Sequence, residues 1–399
     1  MKRAKPRAAQ KEARVAAAVA IKISRFAAAA LAVALLSMQC ASAAVLPEDR
    51  ADALYHSYSG GGVKISGPSI LVQKQLGKHA SVNANYYVDS VSSASIDVVT
   101  TASAYTEQRV QKSAGVEWLE DDATMTLSYT KSDENDYQAN TAHGSFTQEF
   151  FGNMTTLTMA YEKGWDVVGK RNDPTYAKDN DRQNFSLGVS QVTTKNLLLN
   201  LNWEIIANQG FLNNPYRSAR YLDSTAEKGY SYEPEIYPNT HTSNAVALGA
   251  HYYLPYRAAL HGEYRLYTDT WGIHASHYEI GYTHPWRKQW IFDIKYRFYQ
   301  QTHADFYSDL FPYESSQNYL ARDKELATFS SQDIGFKVTY EFASSPARFI
   351  KKSTINFAYD YIHYSYNDFR DLTQNTAAGT EGLYGFSANV LQIFFSVWY

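Results

Sequence analysis

Apolar and polar residues alternate with a period of two along nearly the whole chain, and this constrains the fold more than any motif does. Val82, Ala84, Tyr86 and Val88 share one face of an extended segment, with Asn83, Asn85, Tyr87 and Asp89 on the other. Leu197, Leu199, Leu201, Trp203 and Ile205 alternate with Leu198, Asn200, Asn202 and Glu204. Trp290, Phe292, Ile294, Tyr296 and Phe298 alternate with Asp293, Lys295 and Arg297; Ile334, Phe336, Val338, Tyr340 and Phe342 with Gly335, Lys337, Thr339 and Glu341. A helix would repeat its apolar positions every three to four residues, so these runs read as strands. Soluble strands are usually about 5–6 residues long, whereas these approach the roughly 9–11 that a tilted strand needs to cross a membrane.

The connections carry a second rhythm. Short turns are expected at Gly77-Lys78, Glu120-Asp121-Asp122, Gly152-Asn153, Thr193-Thr194-Lys195, Pro255-Tyr256-Arg257 and 285–288. Between them come mostly longer polar or aromatic connections, over 92–105, 131–142, 164–181, 208–242, 302–327 and 367–381. Short turns at one end and long loops at the other are the pattern of an up-and-down barrel in a bacterial outer membrane. The clear strands come to an odd number, but both termini of such a barrel lie on the periplasmic side. The segment 51–59, ahead of Gly60-Gly61-Gly62, supplies the missing strand, so the expectation is a transmembrane antiparallel β-barrel of about 16 strands.

Composition agrees with this reading. The chain has 33 Tyr, 19 Phe and 7 Trp, yet its mean hydropathy is −0.42. An aromatic chain that is polar on average suits a lipid-facing exterior around a wet interior; a large secreted β-sandwich or β-solenoid is the competing reading. Trp118, Tyr129, Tyr161, Trp203, Tyr252, Tyr282, Trp290, Tyr340 and Trp398 are expected outside, as aromatic girdles at the headgroups. The N-terminus is read as a cleaved signal peptide over 1–43: a basic leader, an apolar stretch from Phe26 to Leu36, and Ala41-Ser42-Ala43 as the cleavage site. The domain boundaries are then 1–43 for the signal and 44–399 for the barrel. Cys40, the single cysteine, would leave with the signal, which excludes disulfides and cysteine chemistry. Residues 1–43 carry eight basic groups and one acid, a net of +7; without them the chain's −3 becomes −10. Nucleic acid is a poor partner for that surface.

The last strand ends on an unbroken apolar face, Leu391, Ile393, Phe395, Val397 and Tyr399. It resembles the C-terminal signal that the barrel-assembly machinery reads; an ordinary buried last strand is the plainer alternative. The expected partners are outer-membrane lipid, that machinery, and a periplasmic lipoprotein if the barrel serves as a docking platform.

If alternation holds, His251, His261, Glu263, Arg265, His277, Glu279, Asp293, Lys295, Arg297, Lys337, Glu341 and Asp360 face inward. Glu263, Arg265, Asp293, Lys295, Arg297, Lys337 and Glu341 are the candidates for ion or solute selectivity, since charge rings decide what passes a pore. A tight turn at 255–257 sets His251 opposite His261, and the next hairpin can set His261 opposite Glu279 and Glu263 opposite His277. Those five are weak metal-ligand candidates; a salt-bridged wall is the favoured alternative. The aromatic loops 208–242 and 302–327 are read as a constriction, a ligand site or a self-packed cap. No G-x-S-x-G elbow, H-E-x-x-H pair or phosphate loop is present, no cofactor is implied, and no catalytic residue stands out.

Tyr55-His56-Ser57-Tyr58 with Gly60-Gly61-Gly62-Val63, Asn213-Asn214-Pro215-Tyr216-Arg217, Tyr253-Leu254-Pro255-Tyr256-Arg257-Ala258-Ala259-Leu260 and Ala304-Asp305-Phe306-Tyr307-Ser308-Asp309-Leu310-Phe311 together resemble the bacterial domain of unknown function family 3570. The resemblance implies an outer-membrane barrel and no established activity. The functional expectation is a channel or transporter-like pore for a small hydrophilic solute or ion. An outer-membrane enzyme with a rim site and a docking barrel are the alternatives.

Overall fold

The computed structural model describes residues 45–93, 105–171, 173–342, 349–374 and 376–399; the expected signal peptide lies outside these. The strands are β1 (Arg50–Gly60), β2 (Val63–Leu76), β3 (Ala80–Ser93), β4 (Tyr105–Glu120), β5 (Ala123–Asp133), β6 (Tyr137–Phe150), β7 (Thr155–Lys170), β8 (Asp173–Thr194) and β9 (Leu197–Gly210). After a short hairpin of β10 (Ser218–Leu222) and β11 (Tyr230–Pro234) come β12 (Thr240–Tyr253), β13 (Ala259–Asp269), β14 (His274–Trp286), β15 (Trp290–Gln301), β16 (Phe329–Phe342), β17 (Lys352–Arg370) and β18 (Leu383–Trp398). All but β10 and β11 form one closed antiparallel barrel of sixteen strands, sealed where β1 pairs with β18. Closure leaves no unpaired edge, which is what lets a sheet reside in a hydrocarbon layer.

The period-2 pattern becomes two faces. Ile70, Val72, Leu127, Leu201, Leu248, Ile280, Ile294, Ile334 and Ile393 are exposed on the outside, so the apolar side of each strand faces outward and the polar side lines the lumen. Outward positions along Leu197–Ile205, Trp290–Phe298, Ile334–Phe342, Ile355–Tyr361 and Leu391–Val397 are all apolar or aromatic. Trp118, Tyr129, Tyr161 and Tyr252 are exposed there as expected. Trp398 is not on that face. It lies on the opposite parity to Phe395, with Arg50 and Lys352 over its ring, because adjacent strand residues cannot both point outward.

Two expected loops are largely strand. The connection within 131–142 is only Glu134–Asp136, and 164–181 is a continuation of the β7–β8 hairpin to Lys170 and Asp173. Polar residues here continue the ladder beyond the apolar band, since pairing satisfies their backbone groups. The β1–β2 turn at the loop end is also tight, Gly61 and Gly62 both adopting positive φ (55° and 78°).

Candidate functional site

A row of facing residues crosses the lumenal wall from β12 to β17. Register places His251 opposite His261, His261 opposite Gly281, Gly281 opposite Lys295, Lys295 opposite Gly335 and Gly335 opposite Asp360. The glycines decide what touches. A methyl group at Gly335 would sit 2.3 Å from Lys295 Cε and 2.4 Å from Asp360 Oδ1. Lys295 therefore reaches across β16 to Asp360 on the next strand but one, Nζ to Oδ1 at 2.8 Å. Gly281 likewise lies under the His261 ring, 2.1 Å from where a Cβ would be.

A second set of charges runs beside this row. Lys295 Nζ is 3.5 Å from Asp333 Oδ2 and Arg297 Nη2 is 3.6 Å from the same oxygen. Arg265 Nη2 meets Glu204 Oε2 at 2.7 Å, and Glu341 pairs with Lys352 at 2.9 Å. Asp293 accepts a bond from the Thr283 hydroxyl at 2.5 Å and stands opposite Lys337.

The β13–β14 hairpin differs from expectation. Glu263 faces Glu279, Arg265 faces His277, and His261 faces Gly281. The turn runs to Ile273, whose amide bonds Asp269 Oδ1, and this shifts the register by two residues. A shift of two keeps every side chain on its face. The acid–imidazole contacts survive diagonally, His277 Nε2 lying 2.9 Å from Glu263 Oε1 and His261 Nε2 3.8 Å from Glu279 Oε1. The five metal-ligand candidates His251, His261, Glu263, His277 and Glu279 do not converge on one point. Among the described residues the three-group cluster with metal-like spacing is Glu107, Glu134 and Asp136, at the loop end.

One lumenal constellation escaped the sequence reading. His56 on β1 lies 2.6 Å from Asp89 Oδ1 on β3, stacks on Tyr87 with centroids 4.8 Å apart, and has Arg109 Nε 3.7 Å from Asp89 Oδ2. Gly67 on the intervening β2 makes this possible, for a Cβ there would meet the Val88 carbonyl at 1.8 Å. His56 Nδ1 is buried with no hydrogen-bond partner among the described residues. The Tyr87 hydroxyl also lies 3.0 Å from His56 Nε2, so imidazole, carboxylate and phenol form one hydrogen-bonded group on the lumenal wall.

The loops at one end fold together. Tyr237, Phe306, Tyr307, Leu326, Tyr366 and Phe369 form a buried cluster, with Trp271 packed against it. Arg220 on β10 is completely buried, its guanidinium bonded to Glu381 at 2.5 Å and to Asp309 at 2.5 Å. Arg322 reaches the same Asp309 at 2.9 Å and stacks over Phe369. Burial alone would lower the Arg220 pKa, but Glu381 and Asp309 outweigh it and hold it above its ordinary value. Burial pushes Glu381 up, and the bond from Arg220 outweighs that, leaving its carboxyl below the usual range. The long aromatic loops are therefore a self-packed cap. A cavity of about 790 Å³ lies between the cap segments 211–218 and 322–325 and the loop ends of β3–β8. Tyr216 spans it, donating to Asp136 and accepting from the Arg171 amide. Burial, then Asp136, push its phenol up to about 12.

A closed sixteen-strand cylinder, apolar outside, polar within, with tight turns at one end and a folded cap at the other, is a bacterial outer-membrane β-barrel protein. Within that class, the chain belongs to the family described as protein of unknown function (DUF3570), whose profile matches residues 161–397. No curated protein matches the sequence. Among solved structures, a bacterial polysaccharide outer membrane secretin is similar at a TM-score of 0.50 and 9% identity, over 89% of this chain and 100% of that one. A FadL homologue of Pseudomonas aeruginosa is similar at 0.42 and 10%, over 88% of this chain and 90% of its own. The CymD monoaromatic hydrocarbon channel is similar at 0.43 and 8%, over 89% of each. At these identities the likeness is one of fold.

Proposed function

We propose that the barrel is a passive pore for small hydrophilic solutes, with a preference for cations. The observation that carries this reading is the exposure of the lumenal charges. Lys295, Arg297, Arg265 and Glu263 keep 36%, 38%, 38% and 41% of their side chains exposed, so they line open space instead of filling a core. Barrels of 16–18 strands are wide enough to leave an aqueous channel. Carboxylates also outnumber basic groups on the lumenal faces. Asp52, Asp89, Glu107, Glu117, Glu149, Glu162 and Asp166 stand against Arg50, Arg109, Lys170, Lys178 and Arg182 on β1–β8; Glu204, Glu263, Asp269, Glu279, Asp293, Asp333, Glu341 and Asp360 stand against Arg265, Lys295, Arg297, Lys337 and Lys352 on β9, β12–β16 and β17 as far as Asp360. An excess of fixed negative charge enriches cations in a narrow aqueous path. The cavity beside the cap is the entry route on this reading.

Refolded protein in a planar bilayer under a potassium chloride gradient tests it. The expected result is stepwise conductance with a reversal potential on the cation-selective side, shifted further by Lys295→Glu and back toward neutrality by Asp293→Lys. Correctly folded barrels without conductance would overturn the proposal.

A further inference from the structure

The outside of the barrel is not uniform. The outward runs of β9 and β15–β18 named above carry no Asp, Glu, Lys or Arg. On β4–β8 the same face carries three lysines and, nearer the loop end, Asp133, Asp179 and Asp181. Lys112 shares its face with Ala114, Val116 and Trp118; Lys131 with Leu127 and Tyr129; Lys163 sits between Tyr161 and Trp165. Lys112 lies directly opposite Lys131 in the β4–β5 ladder. Lys163 lies opposite Ala142, which in turn faces Tyr129, so the three lysines fall on neighbouring strands around Tyr129 and Trp165. Those two rings are 6.3 Å apart and mark the headgroup level toward the loop end.

Two like charges facing each other on a sheet repel, and a cation on a lipid-facing strand is costly unless it reaches polar partners. Lys131 has Asp133 at 3.2 Å and Lys163 has Asp181 at 2.8 Å. Lys112 is exposed and has no ion pair among the described residues. With Lys131 and Lys163 so paired, Lys112 is the one of the three without an acidic partner among the described residues, and it stands directly opposite Lys131. We propose that Lys112, Lys131 and Lys163 form a binding surface for the phosphate groups of a phosphorylated glycolipid in the outer leaflet. A phosphate seated between Lys112 and Lys131 removes their repulsion, and Tyr129 and Trp165 pack against the sugar or upper acyl region. This surface is on the opposite side of the wall from the lumen, so it stands apart from the pore reading.

Detergent-solubilised, folded barrel is titrated with bis-phosphorylated lipid A and bound copies are counted by native mass spectrometry. Wild-type protein is expected to bind lipid A. The combined variant Lys112→Gln, Lys131→Gln, Lys163→Gln should bind at least tenfold more weakly, and Lys112→Gln alone severalfold more weakly. Lys195→Gln, in the turn at the opposite end, should bind as wild type. Inorganic phosphate should not compete at equal concentration, because the lipid rather than the free ion is the ligand. The proposal is overturned if dephosphorylated lipid A binds as tightly. It is also overturned if Lys112→Gln and the combined variant, both folded by circular dichroism, bind as wild type. A change in the number of protein copies per particle with lipid binding unaltered would assign the patch to a second copy of the chain, and would likewise overturn it.

Discussion

At the scale of single residues, absent side chains do as much as present ones. Gly335 lets Lys295 reach Asp360, and Gly67 lets His56 reach Asp89. Because Lys295 is 36% exposed and Asp360 20%, screening by water limits their pair to at most about 1 kcal/mol. A double-mutant cycle on Lys295 and Asp360 should find that coupling in the parent and lose it in Gly335→Ala, whose methyl group occupies the crossing point. Persistence of the coupling in the alanine variant would mean the contact does not run over Gly335. Burial raises the stakes in the cap. Glu381→Gln leaves the buried Arg220 cation short of charge, and such losses cost about 3–5 kcal/mol. The expected readout is faster amide exchange over β10 and β11 with unchanged protection in the barrel. The Glu381 carboxyl has its pKa lowered on folding, so its contribution is present above the unfolded value, about 4.3, and is lost as pH falls through the folded one. Protection in the cap, taken relative to the intrinsic exchange rate at each pH, should therefore fall on acidification below about pH 4, and protection factors that do not change with acid would contradict the assignment. These contacts were illegible in the sequence. Arg220 and Glu381 are 161 positions apart, and the His56–Asp89 pair requires knowing that three strands lie side by side with a glycine between.

At the scale of elements, alternation made the barrel strands and their faces readable, and turn geometry hid their register. Period two marks fifteen of the sixteen strands, and the requirement that both termini lie at one end supplies the other, β1. The β13–β14 pairing needed the turn, where Asp269 takes the amides of Trp271 and Ile273 and lengthens the connection by a pair of residues. Polarity misled at 131–142 and 164–181, because strands that leave the membrane keep pairing after their outward faces become polar. The cap is an element of its own, held by a buried aromatic cluster. Phe369 is fully buried there, so Phe369→Ala should cost about 3–5 kcal/mol locally. Limited proteolysis should then cut within 211–239 and 302–328 at protease levels that leave the parent intact. Equal resistance would show that the cap does not depend on this core.

At the scale of the whole molecule, the closed cylinder is apolar outside and polar inside, and the two faces alternate residue by residue. The most direct measurement uses the absence of cysteine beyond Cys40. Single variants Asp293→Cys, Ile294→Cys, Lys295→Cys and Tyr296→Cys along β15 are reconstituted in lipid vesicles and treated with a hydrophilic, membrane-impermeant maleimide. Positions 293 and 295 should react and 294 and 296 should not, because only the first pair faces the lumen. Equal reaction at all four positions, or reaction at 294 and 296 alone, would contradict a water-filled barrel with a lipid-facing exterior.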